Sequence, residues 1–121
     1  MLSHRSLFKS FEYSFEGLVH AIRENQNMRI HIAIAVIVII VGLVLEVSPF
    51  EMGILAVMIL LVLMAEMINT ALEEMVDLIV TEHRRQAKIA KDVASGMVLV
   101  ATIGAAIVGI FIFTPYLLRL F

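Results

Sequence analysis

Glu66-Met67-Ile68-Asn69-Thr70-Ala71-Leu72-Glu73-Glu74-Met75-Val76-Asp77 leads out of a long apolar run and carries a carboxylate, an amide and further carboxylates into polar sequence. Taken as a helix at about 100° per residue, Glu66, Asn69, Glu73 and Asp77 fall within roughly 80° of one another, with Glu74 outside that arc. The run before it, from Phe50 to Ala65, holds one charged residue, Glu51. The segment therefore reads as a membrane-spanning helix whose polar stripe enters the apolar layer at one end. Glu66 lies about 9 Å inside Leu72, at about 1.5 Å per residue. An ionisable side chain at that depth points first to function.

The rest of the chain agrees with a membrane setting. Of 121 residues, 61% are hydrophobic and only 17% charged, against about a quarter charged in soluble domains. The mean hydropathy is +1.00. One domain, residues 1–121, is all the length allows. A net charge of −2 gives no basic field for nucleic acid, and the lack of cysteine excludes disulfides and thiolate chemistry. Residues 1–27 carry charges throughout and do not read as a signal peptide.

The expected fold is an all-α membrane protein with an N-terminal amphipathic surface helix and three transmembrane helices. In residues 1–27, Leu7, Phe11, Phe15, Leu18 and Ile22 recur on one face, which suits a helix lying in the membrane interface or packed on a partner. Asn25-Gln26-Asn27 marks a bend, and the first span runs over 30–47 with His31 near its start as an interfacial histidine. Pro49 turns the chain into the second span, 50–72, whose helix continues to about 81. A charged loop over 82–92 leads to the third span, 93–118. There Ala101, Ala105 and Gly109 form a small-residue ridge of the kind that lets helices approach closely.

Arg5, Lys9, Arg23 and Arg29 precede the first span, and Arg84, Arg85, Lys88 and Lys91 separate the second from the third. The 46–51 turn has no lysine or arginine. The positive-inside rule then puts the N-terminus and the charged loop in the cytoplasm and the C-terminus outside, with the polar stripe on the cytoplasmic face.

Phosphate-binding glycine loops, protein-kinase signatures, zinc-protease HExxH and GxSxG elbows are all absent. What remains is a carboxylate stripe at the cytoplasmic interface, followed by a basic loop ending in Lys91-Asp92. Phosphoryl transfer needs a hard cation, balancing positive charge and a group to orient or deprotonate the attacking hydroxyl. Magnesium takes oxygen ligands, often one or two carboxylates. Glu73 and Asp77 lie near water, Glu66 lies deeper, where a lipid hydroxyl would be, and Lys88 and Lys91 can meet phosphates. The same residues also suit a solvated helix end with an interfacial Lys91-Asp92 pair. Burying Glu66 and Asn69 costs several kcal/mol unless they are paired, and they could be paired across a symmetric interface.

Glu66-x-x-Asn69-Thr70-Ala71-Leu72-Glu73-x-x-Val76-Asp77-Leu78, followed by Ala90-Lys91-Asp92-Val93-Ala94-Ser95-Gly96-x-Val98-Leu99, closely resembles the prokaryotic diacylglycerol kinase family. Tyr13-Ser14-Phe15-Glu16-Gly17-Leu18 and Asn27-Met28-Arg29-Ile30-His31 extend the likeness over nearly the whole chain. The resemblance implies a bacterial multi-pass membrane lipid kinase, a homotrimer with shared active sites, using ATP and Mg2+ on a membrane-embedded alcohol. It places Glu66 as catalytic base, Asn69 as an active-site polar residue and Glu73 as a metal and nucleotide ligand. Tyr13, Asp77, Lys91 and Asp92 fall near the nucleotide. The family's second metal-binding glutamate is Asn25 here, which transfers that expectation to Glu24. Thr70, Leu78, Ala94 and Gly96 resemble the Gram-positive type that acts on undecaprenol rather than the type that acts on diacylglycerol. Outside this resemblance, a proton- or ion-conducting oligomer lined by Glu66 and Asn69, or a scaffold held together by the stripe, also fits the buried carboxylate.

Overall fold

The computed structural model describes residues 4–121, with side chains from residue 6 onward. Among these residues all regular structure is helical: α1 (His4–Glu24), α2 (Gln26–Val44), α3 (Pro49–Ile79) and α4 (Arg85–Leu118). α2, α3 and α4 are each long and apolar enough to cross a membrane. The first three residues of the expected N-terminal helix lie outside the described residues.

The α1–α2 break is narrower than the bend expected over 25–27, because Asn25 alone makes it. Its backbone is extended and its Oδ1 accepts from the amides of Asn27 and Met28, so Gln26 already begins α2. Arg29 reaches back from that first turn, and its Nη1 donates to the carbonyls of Ile22 at 2.8 Å and Arg23 at 2.6 Å. Those are among the last carbonyls of α1, which have no partner within their own helix. Ala21 and Met28 are buried beneath this corner.

At the other end, α2 closes with the amide of Val47 donating to Gly42 O and that of Glu46 to Leu43 O. This is a Schellman motif. Its left-handed position is taken by Glu46, at φ 55°, rather than by glycine. Ser48 then caps α3 and Pro49 occupies its first turn.

α3 and α4 run antiparallel in the most extensive contact of the chain, and α2 packs on α3. Lys91 on α4 meets Asp77 on α3 at one end, and Tyr116 meets Glu51 at the other. Between them a small core of Val47, Leu55 and Ile112 gathers Val38, Met52 and Phe113. Gly42 gives α2 its close approach to α3, since a Cβ there would lie 2.6 Å from Met52 Sδ. Most other apolar side chains face outward, as a chain solvated by lipid or by further copies requires.

Further boundaries differ from the expected ones, and α2 ends at Val44 rather than 47 because the left-handed residue Glu46 closes it. α3 ends at Ile79 rather than about 81, and α4 begins at Arg85, so most of the expected 82–92 loop is helix. Charge does not break helices. Gln86, Ala87, Lys88 and Lys91 are good helix formers, and Lys88 Nζ reaches Asp92 Oδ2 one turn on at 2.6 Å. The small-residue ridge also differs in what it does within the protomer. Ala105 and Gly109 line an open groove, and nothing lies within 4 Å of a Cβ at Gly109.

Candidate active site

Glu66 is 1% exposed, the most deeply buried charged residue described. α3 places it on its protein-facing side, and α2 brings the partners. Asn25 Nδ2 donates to Oε2 at 2.9 Å and His31 Nε2 lies 3.3 Å from Oε1. Asn25 Nδ2 also donates to Thr70 Oγ1 at 2.8 Å, while Thr70 Oγ1 donates to the carbonyl of Glu66 at 2.9 Å. Asn25 is therefore both the cap that starts α2 and the amide that fixes the carboxylate. Burying a lone carboxylate is costly; the Asn25 hydrogen bond to Oε2 offsets part of that cost, and the His31 ring stands beside the other oxygen.

Glu66 itself lines neither of two nearby compartments, but its partners do, His31 the one and Asn25 and Thr70 the other. On the apolar side, a groove of about 510 Å3 runs between α2, α3 and α4, with His31 in its wall beside Ala35, Val62, Thr102, Ala105 and Gly109. On the polar side, a pocket of about 280 Å3 is lined by Glu24, Asn25, Thr70, Glu73, Glu74 and Asp77, among others. A second polar pocket, of about 430 Å3, contains Asp77, His83, Arg84, Lys88 and Lys91. Asp77 belongs to both. Acidic and basic compartments thus adjoin through the Asp77–Lys91 ion pair.

Asn69 is buried one helical turn from Glu66, at 7% exposure. Its Nδ2 is 3.5 Å from Glu73 Oε1, and its Oδ1 finds no donor among the described residues. Leaving a buried acceptor unpaired costs about 1–3 kcal/mol, so this oxygen is available to a group from outside the protomer.

Most of the residues singled out in the sequence converge here. Glu66, Asn69 and Glu73 lie along one face of α3, and Glu24 joins Glu73 in the acidic pocket. Lys91 is held by Asp77, and Asp92 is held by Lys88. Tyr13 is not drawn in: it is exposed on α1 and lines neither polar pocket. Glu74, off the stripe, faces α1, where His20 Nε2 is 3.6 Å from its Oε1.

No group of three or more histidine and acidic side chains among the described residues forms a ready-made metal cage. Glu24 and Glu73 nonetheless fit magnesium, because this ion uses one or two carboxylates and completes its shell with phosphate and water.

Sequence reasoning misses the roles of Asn25 and His31. In the sequence Asn25 stands out as part of a bend and as the absence of a glutamate, and His31 passes as an interfacial residue. The available signal is that His31 is a titratable side chain opening an otherwise apolar span, the same criterion that singles out Glu66.

A membrane-spanning helical bundle with one buried carboxylate between an apolar groove and charged pockets belongs with enzymes that act at the lipid boundary. Residues 12–113 match the prokaryotic diacylglycerol kinase family. The chain is 41% identical over 116 residues to a diacylglycerol kinase of Synechocystis, covering 95% of this chain and 66% of that protein. It is 39% identical over 110 residues to an undecaprenol kinase of Bacillus subtilis, covering 91% of this chain and 89% of the other. A diacylglycerol kinase of Helicobacter pylori is 35% identical over 117 residues, 97% of this chain and 88% of that protein. The chain belongs to the prokaryotic diacylglycerol kinase family.

Proposed function

We propose that this protein transfers the γ-phosphoryl group of ATP to a membrane-embedded lipid alcohol, with undecaprenol the preferred acceptor and diacylglycerol the alternative. The observation that carries the reading is that the side chains against Glu66 line both compartments, His31 the apolar groove and Asn25 the acidic pocket. A lipid enters by the first route and a water-soluble donor by the second. They meet at one carboxylate already fixed in place.

In the reaction, the acceptor hydroxyl approaches along the groove past His31. Glu66 orients it and takes its proton as the oxygen attacks the γ-phosphorus. The bond to the β–γ bridging oxygen breaks and ADP leaves. Glu24 and Glu73 would hold Mg2+, which supplies positive charge against the phosphate oxygens. Lys91, positioned by Asp77, balances further phosphate charge, with Asp92 steadying Lys88 beside it. Asn69 Oδ1 offers an acceptor to the incoming substrate or to a neighbouring copy. The homotrimer rests on the family resemblance; within it, one protomer's surface helix, with the exposed Tyr13, would cover a neighbour's site. The basic residues flanking the first and third spans support a cytoplasmic active site, with the N-terminus inside and the C-terminus outside.

Thr70, Leu78, Ala94 and Gly96, by their resemblance to the Gram-positive type, favour undecaprenol. The relatives' names divide between the two acceptors. Phosphate transfer from γ-labelled ATP in mixed micelles, with each lipid offered separately and with or without Mg2+, tests this. Labelled undecaprenol in large excess is expected. Preferential labelling of diacylglycerol overturns the acceptor, and no labelled lipid from folded protein overturns the kinase reading.

A further inference from the structure

We infer that His31 is a positioning residue for lipid phosphorylation, acting by holding the membrane-facing oxygen of Glu66. The inference rests on the reading of Glu66 as the group that receives the acceptor's proton. The two oxygens of this carboxylate are held differently. Oε2 is fixed from the polar side by Asn25, whose amide is itself locked by the helix cap and by Thr70. Oε1 faces His31 Nε2 at 3.3 Å.

The terminal torsion of a glutamate is soft. A partner on one oxygen leaves the other free to swing, whereas partners on both fix the carboxyl plane. His31 is well placed to be the second partner, since its side chain is 17% exposed and sits in the groove wall. The ring thus touches the carboxylate and borders the space from which a membrane-phase hydroxyl would come. At 3.3 Å an imidazole bearing its proton on Nε2 attracts Oε1 electrostatically and holds that oxygen on the side of the groove that the ring lines. The competing role is purely structural, with the ring only tying α2 to α3. Asn25 and the close approach at Gly42 already make that tie.

Steady-state kinetics of the full-length chain in lipid nanodiscs, varying ATP and lipid acceptor independently, separates the two roles. His31→Leu is expected to lower kcat by about 10–100-fold, the scale of a misplaced reacting group. KM for ATP should stay within about threefold, because His31 lines neither polar pocket. His31→Gln, whose amide N–H can reach the same oxygen, should recover most of the lost rate. His31→Asn, one methylene shorter, should not, and the Gln–Asn contrast serves if the leucine variant fails to fold. Wild-type kcat in His31→Leu overturns the inference. So does a loss confined to KM, or an equal loss in His31→Gln and His31→Asn. Glu66→Gln is measured alongside. Near wild-type turnover there would remove the base assignment itself, whereas an inactive Glu66→Gln beside a fully active His31→Leu would remove only the role of His31.

Discussion

Glu51 and Glu66 are carboxylates on the same helix, fifteen residues apart, and each is met by side chains from other elements. At the turn end, Glu51 Oε1 accepts from Ser48 Oγ at 2.8 Å and from Tyr116 OH at 2.6 Å. The same tyrosine hydroxyl accepts from the Ser48 amide at 3.2 Å, and its ring lies 5.3 Å from the Arg119 guanidinium carbon. The loop of contacts closes on itself and joins the α2–α3 turn, the start of α3 and the end of α4. At the other end, Glu66 has a partner toward each oxygen, yet it adjoins Asn69, whose Oδ1 has none among the described residues. Its partners His31 and Asn25 in turn line the apolar groove and the acidic pocket. A polar network that satisfies itself stabilises the fold. One that stops short of doing so can bind and react.

The sharpest way to break this contrast is to neutralise each carboxylate without changing its shape. Glu66→Gln is expected to reduce turnover by about 10²–10⁴-fold, the usual range for losing a general base. Nucleotide binding, followed by fluorescent ATP analogue titration, should persist because the polar pockets are intact. Glu51→Gln should leave kcat within about twofold, as expected for a residue outside the chemistry. Comparable losses in both variants would show that the two ends do not differ in the way described.

Asn25 sharpens the contrast, since it combines a structural and a functional contact in one amide. Asn25→Asp keeps the acceptor that caps α2 but replaces the donor beside Glu66 Oε2 with a second carboxylate. Turnover is expected to fall by about tenfold or more, by analogy with a misplaced reacting group, while helix content measured by circular dichroism stays level. A variant that keeps wild-type turnover would mean that Asn25 serves α2 alone.

Asn25 and Glu66 also mark where the sequence stops being readable. Glu66, Asn69, Glu73 and Asp77 are legible because they share one helix, and a helical period is visible without any tertiary knowledge. Three apolar spans are legible because lipid as solvent demands long, nearly uncharged helices. Asn25 and His31 reach Glu66 from across a helix break, which leaves no periodic trace. The Asp77–Lys91 pairing depends on the register of α3 against α4, although both residues stand out individually. The start of α4 is hidden because a dense run of charges looks like a loop.

Tyr116→Phe probes the closed network directly. It removes the hydroxyl that both donates to Glu51 and accepts from Ser48. The thermal midpoint in detergent should fall, with kcat again within about twofold of wild type because the site lies at the opposite end of α3. A drop in kcat without a drop in stability would tie this end to the reaction and undo the division of roles.

The smallest effect should come from Glu46. Its backbone, at φ 55°, holds the left-handed position of the motif that ends α2. A side chain there costs about 1–2 kcal/mol relative to the ordinary helical region, and glycine relieves that strain while losing more chain entropy on folding. The side chain of Glu46 is exposed and has no partner among the described residues, so the substitution removes strain and little else. Glu46→Gly is therefore expected to be stabilising by up to about 1 kcal/mol, the difference between that strain and glycine's entropic cost of about 0.5–1 kcal/mol. Reversible unfolding in mixed micelles would measure it, with turnover followed in parallel. A more stable protein with unchanged kcat fits a far end that sets stability alone. A more stable but slower enzyme would instead show that the strained turn communicates with Glu66 along α3, and the two carboxylates would then have to be treated as parts of one system.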